Sequence, residues 1–199
     1  IFGPDGLRYL LLREVPFDKD GDISIEIMIN RYNADLANEL GNLFSRTVAM
    51  IAKYLGGDIP EAPFDERCDL YGPLKEAVEG YIGSMEKMEF SRALGAYWTV
   101  VQRANQYIEE KAPWAVAKDE SRKSELEAIF RELLAVLRTS AIVLSPFMPG
   151  KMAEMARQLT GVPESLEDLP PAVSGAKGLD QPVPLFPRMQ VDPDKVFEA

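Results

Sequence analysis

The chain has 199 residues, 46% hydrophobic and 27% charged, which is enough apolar material for one good-sized domain or two small ones. No apolar run approaches the roughly 20 residues that span a bilayer, and a lone Cys68 excludes an internal disulfide and suits a reducing compartment, by default the cytoplasm. A net charge of −10 counts against nucleic acid, and the lack of histidine removes Ser-His and Cys-His catalysis together with His-containing zinc sites.

The sequence opens at Ile1 rather than Met and runs straight into apolar residues, as expected of a piece that has lost an N-terminal partner. Pro4 followed by Gly6 to Glu14 predicts a short helix, ended by Pro16 and a turn at Asp18-Lys19-Asp20-Gly21-Asp22. Ser24 is a good N-cap for a helical pattern that runs to about Leu55, where Gly56-Gly57 stops it. A connector with Pro60 and Pro63 covers 58–68. Apolar spacing then predicts helices at Leu70–Met88, Phe90–Glu110 and Ser121–Leu144, with a shorter one at Lys151–Leu159. Beyond Gly161, seven prolines (Pro163, Pro170, Pro171, Pro182, Pro184, Pro187 and Pro193) exclude helix. Val183, Leu185, Phe186 and Met189 want cover, so an extended strap lying back on the bundle is expected. No strand pairing is convincing.

At about 100° per residue, the helix from Ser24 to Leu55 sorts into two faces. Ile29, Tyr32, Leu36, Leu40, Leu43, Phe44, Ile51 and Leu55 form a core stripe. Opposite it, Asn38, Asn42 and Arg46 recur every four residues, with Asp35 and Lys53 nearby. That line reads either as a solvated face or as something more specific. Asparagine inside a helix costs roughly a few tenths of a kcal/mol relative to Lys or Glu. Asn and Arg also carry the donor and acceptor edges that pair with an unstacked base. Further on, Pro113 breaks the chain after Ala112 and puts Trp114 on a rigid corner. That indole is either a core plug or a platform for a splayed base. Trp98, among Leu94 and Val101, reads as core. The acidic excess collects in 61–69 and 164–198, so the long helix is close to neutral and the charge objection is a local one.

Three segments in order carry a family resemblance: Gly6 to Phe17, Asp20 to Ser24, and Arg31-Tyr32-Asn33-Ala34-Asp35-Leu36-Ala37-Asn38-Glu39-Leu40-Gly41-Asn42-Leu43. With Ala112-Pro113-Trp114 and Lys118, they resemble methionyl-tRNA synthetase, as far as about Pro149. The resemblance implies an all-α helical bundle of the class I synthetase anticodon-binding type, with the Pro-rich C-terminal strap. Residues 1–22 would be a connector from the catalytic domain, 23–160 the anticodon-binding domain and 161–199 the strap. It places anticodon-reading residues at Asn42, Arg46 and Trp114, with Asn38 and Pro113 as secondary candidates. The implied partners are the CAU anticodon loop of tRNA(Met) and the catalytic domain of the parent chain, with neither membrane nor DNA among them. The parent would ligate methionine to tRNA using ATP. Its ATP-binding signatures and zinc insertion do not occur here, so no catalytic residue, metal or cofactor is expected in this chain. Gly6, where the family more often has alanine, and the Asp18-Lys19 turn depart from the pattern away from the proposed site.

Two rival readings remain. The aspartates around Gly21 hint at a calcium loop, but that register puts Pro16 and Ile27 where carboxylates are required. The other is a non-catalytic acidic scaffold or protein-interaction bundle, for which the polar line has no meaning.

Overall fold

A computed structural model of the chain describes residues 1–14, 24–160, 162 and 165–190. The predicted turn at Asp18–Asp22, as well as Gly161, Pro163 and Pro193, lies outside the described residues. The elements in order are α1 (Gly3–Glu14), α2 (Ile25–Arg31), a π-helical segment (Tyr32–Gly41) and α3 (Asn42–Leu55). Strand β1 (Ile59–Pro63) follows, then α4 (Tyr71–Met85), α5 (Phe90–Lys111), the single turn α6 (Pro113–Val116), α7 (Lys123–Val143), α8 (Pro149–Gln158) and β2 (Val173–Ala176). The molecule is a helical bundle, as its periodicity indicates.

Local signals set most boundaries. Ser24 Oγ accepts from the Ile27 amide at 3.2 Å, which caps α2. Gly56, at φ +65, closes α3 in the left-handed conformation. Helix α5 runs through the centre and touches α1, α3, α4, α7 and the π segment. Tyr97 on α5 is fully buried, and its hydroxyl meets Ser140 Oγ at 2.9 Å. The predicted core stripe is buried except at Leu55, which is half-covered, and Trp98 is 2% exposed.

Three expectations need correction. The first is the unbroken α-helical register from Ser24 to Leu55. From Tyr32 to Gly41 the bonds run one residue longer, so that the Asn42 N–H reaches Ala37 O. The wider turn carries Asp35 inward, although 100° spacing places it on the polar side. Asp35 is 5% exposed; it accepts from Tyr9 O–H at 2.6 Å and lies 3.4 Å from Arg13 Nε. Gly41 belongs to this geometry, since a Cβ there would stand 2.8 Å from Leu36 O.

The second correction is a short antiparallel pairing of β1 with β2, irregular between Ile59 and Ala62. Two prolines in Ile59–Pro63 and a partner more than a hundred residues away leave no local signature for it. The third concerns the strap. Leu185 and Phe186 are buried and Met189 packs on the core, whereas Val183 is 58% exposed. The backbone of Val183 is held instead. Gln158 donates to its carbonyl at 3.2 Å and accepts from its N–H at 2.6 Å, which ties the segment without covering the side chain.

Candidate nucleic-acid interface

The polar line of Asn38, Asn42 and Arg46 forms a ridge that begins in the π segment and continues into α3. Asn38 and Asn42 are exposed, Arg46 is half-buried, and all three line one shallow cavity of about 300 Å³. Neither asparagine amide has an intramolecular partner among the described residues. On its other side the ridge borders a second depression of about 450 Å³, closed by Pro184, Leu185 and Phe186 of the strap. Asn38 and Asn42 line both.

The corner after α5 is built as its sequence dictates. Ala112 takes φ 43 and ψ 59, an unusual conformation for a residue with a Cβ, and Pro113 starts α6 at a position where its missing N–H costs nothing. Pro113 is buried. Trp114 is 37% exposed and therefore is not a core plug. The Arg46 guanidinium lies over the indole, 5.8 Å from the ring centroid, within reach of a cation–π contact. Arg46 also pairs with Glu109 of α5 at 2.7 Å. The structure thus brings Asn38, Asn42, Arg46 and Trp114 to one surface. Pro113 sets the corner from beneath, and Lys53, also exposed, lies two turns beyond Arg46 outside this group.

The α5 wall was not foreseen. Asn105, Gln106 and Glu109 line the smaller cavity opposite the ridge. The Asn105 amide donates to Glu39 Oε2 at 2.9 Å and to Glu39 O at 3.2 Å, while its own Oδ1 is buried without a partner among the described residues. Burial pushes the Glu39 carboxyl up; the Asn105 bond opposes this and the charge of Asp35 adds to it. The polar positions of α5 carried the signal, and sorting the faces of that helix as well would have found it. The surface offers amide edges, one guanidinium and one indole, groups that can pair with and stack on flat polar rings. Among the described residues no group of three or more His, Cys, Asp or Glu could hold a metal ion, and no helix is long and apolar enough to cross a membrane.

A family model described as the anticodon binding domain of methionyl tRNA ligase matches residues 60–191. The chain belongs to that family. A second model, class I tRNA synthetases of the methionine type, matches residues 1–48. Among curated relatives, methionine–tRNA ligase of Caldanaerobacter subterraneus subsp. tengcongensis is 47% identical over 83% of this chain and 26% of its own length. The Enterococcus faecalis ligase is 41% identical over 98% of this chain and 30% of its own. The chain therefore spans less than a third of these relatives. A crystal structure of the free-state Mycobacterium tuberculosis methionyl-tRNA synthetase superposes with a TM-score of 0.82 at 32% identity, covering 96% of this chain and 40% of that one. Membership in the anticodon-binding family leaves the scaffold reading without support.

Proposed function

We propose that the ridge and the indole read the CAU anticodon of tRNA(Met). Trp114 supplies the face on which one splayed base stacks. Arg46 and Asn42 present hydrogen-bonding edges to it, and Asn38 extends the line toward the next base. The observation that carries this reading is the Arg46 guanidinium held over an exposed Trp114 beside two uncommitted asparagine amides. Glu109 engages Arg46 from one side, so a base competes for that guanidinium. Few cations are involved and the chain is acidic, so affinity for an isolated stem-loop is modest and falls with added salt.

In the same reading the whole protein is a cytoplasmic methionine–tRNA ligase that uses ATP, and chemistry resides in a catalytic domain outside this chain. Residues 1–22 join the two parts; the exposed Leu7 and Leu11, one turn apart on α1, offer the catalytic domain an apolar face. The test is anisotropy of a labelled anticodon stem-loop carrying CAU, compared with one altered at its first anticodon base. The CAU loop is expected to bind more tightly. Equal affinity for both, or none for either, sinks the reading.

A further inference from the structure

At the opposite end of α3 from the ridge, a third cavity holds an arginine with a single long hydrogen bond among the described residues. Arg138 on α7 is 4% exposed. Among the described residues, its Nε is buried with no hydrogen-bond partner, and its Nη1 reaches only Ser174 Oγ, at 3.5 Å, the outer limit of such a bond. Ser174 Oγ in turn donates to Arg131 O at 2.9 Å, so its lone pair is all it offers. Among the described residues no carboxylate lies within ion-pair distance of Arg138. Loss of water pushes the guanidinium down to about 10, and the charge of Glu61 only partly restores it. A buried charge left unpaired is among the costliest arrangements in a protein interior, so an anion bound beside Arg138 gains a strongly favourable partner.

The space for one is present. Arg138 lines a cavity of about 580 Å³ together with Thr160, Lys177, Asp58, Glu61 and the β2 backbone at Gly175. Its strand wall is tight, since a Cβ on Gly175 would meet Glu61 Cα at 2.7 Å. Asp58 is committed, accepting from the Gly178 N–H at 2.7 Å. Two cations face two carboxylates around the cavity, so its lining is close to neutral overall and a second negative charge on a ligand gains nothing beyond the bonds to the guanidinium itself. A planar monoanion matches the guanidinium fork and adds a single charge. We infer that this cavity binds a monocarboxylate whose oxygens engage the Arg138 guanidinium. The inference is independent of anticodon reading and shares none of its residues.

A free small acid and the C-terminal carboxylate of a peptide present the same chemistry, and the test separates them. The 15N-labelled chain is titrated with acetate and with N-acetylglycine, using N-acetylglycinamide and chloride at equal ionic strength as controls, and the Arg138 Nε–Hε resonance is followed. A saturable shift with an acid but not with the amide or chloride is expected, and the tighter of the two acids names the source. Arg138→Met, which removes an unpaired buried charge and should fold, is expected to lose the response of its neighbours Ser174 and Gly175. Arg138→Lys keeps the charge without the fork and is expected to weaken binding at least several-fold. An Nε–Hε signal that no acid moves, or one that the amide moves equally, overturns the proposal.

Discussion

Asn33 and Asn42 lie on one continuous helical run, yet only one of them is spoken for. The Asn33 amide donates to Met189 O at 3.0 Å and accepts from Met189 N–H at 2.8 Å, clamping the strap to the π segment. Gln158 holds Val183 the same way. Asn42 and Asn38 are exposed, with both edges free among the described residues. The same amide chemistry is therefore committed in one place and open in the other, and what separates the two is whether the chain itself supplies the complementary edge. An amide satisfied by backbone is part of the fold; one left open beside a guanidinium and an indole is available to a base.

The sharpest way to break this contrast is at the indole. Trp114→Ala is expected to weaken stem-loop binding by about 1–3 kcal/mol, roughly 5- to 150-fold in Kd. The helical circular dichroism should stay unchanged, because the ring is part-exposed at a corner. Loss of the fold in that variant would make Trp114 a structural residue after all. Next in size is the asparagine pair. Asn33→Ala should cost about 1–2 kcal/mol in urea unfolding, since it strips two bonds from the strap, and should leave base discrimination intact. Asn42→Ala should change stability by less than about 0.5 kcal/mol and reduce preference for the CAU loop. If both variants lose stability alike, the division between committed and free amides fails.

The smallest effect concerns a carboxylate committed even more deeply. Glu132 of α7 accepts from the Leu70 N–H at 2.7 Å, at the entry to α4, and from the Tyr107 O–H at 2.9 Å. Burial pushes its carboxyl above the ordinary glutamate range despite those two bonds. The native state therefore holds the proton more tightly than the unfolded chain does. The stability linked to Glu132 is complete below its ordinary range and is lost as pH rises through the raised value. Urea unfolding at a series of pH values should show that decline for the wild type and a flatter profile for Glu132→Gln. Matching slopes would mean that the carboxylate is solvated and that its two bonds count for little.

Much of the candidate site was legible in the residues. Fourfold spacing put Asn38, Asn42 and Arg46 on one line, and Pro113 after Ala112 announced the corner that displays Trp114. Their proximity to each other was not legible. It depends on how α3 packs against α5 and α6, and hence on contacts between residues more than sixty positions apart, such as Arg46 with Glu109. Asp35 was misread for a related reason, because a π register shifts the faces without changing composition.

Short-range rules decided what short-range physics controls. Ser24 capped α2, Gly56 ended α3, and apolar repeats named the buried faces, because each depends on bonds and rotamers within a few residues. Tertiary structure alone decided the β1–β2 pairing, the strap clamped by Asn33 and Gln158, and the burial of Arg138 with no ion pair among the described residues. Each of these is settled by which distant groups share the same space, and hydrogen bonds and desolvation respond to that neighbourhood rather than to sequence order.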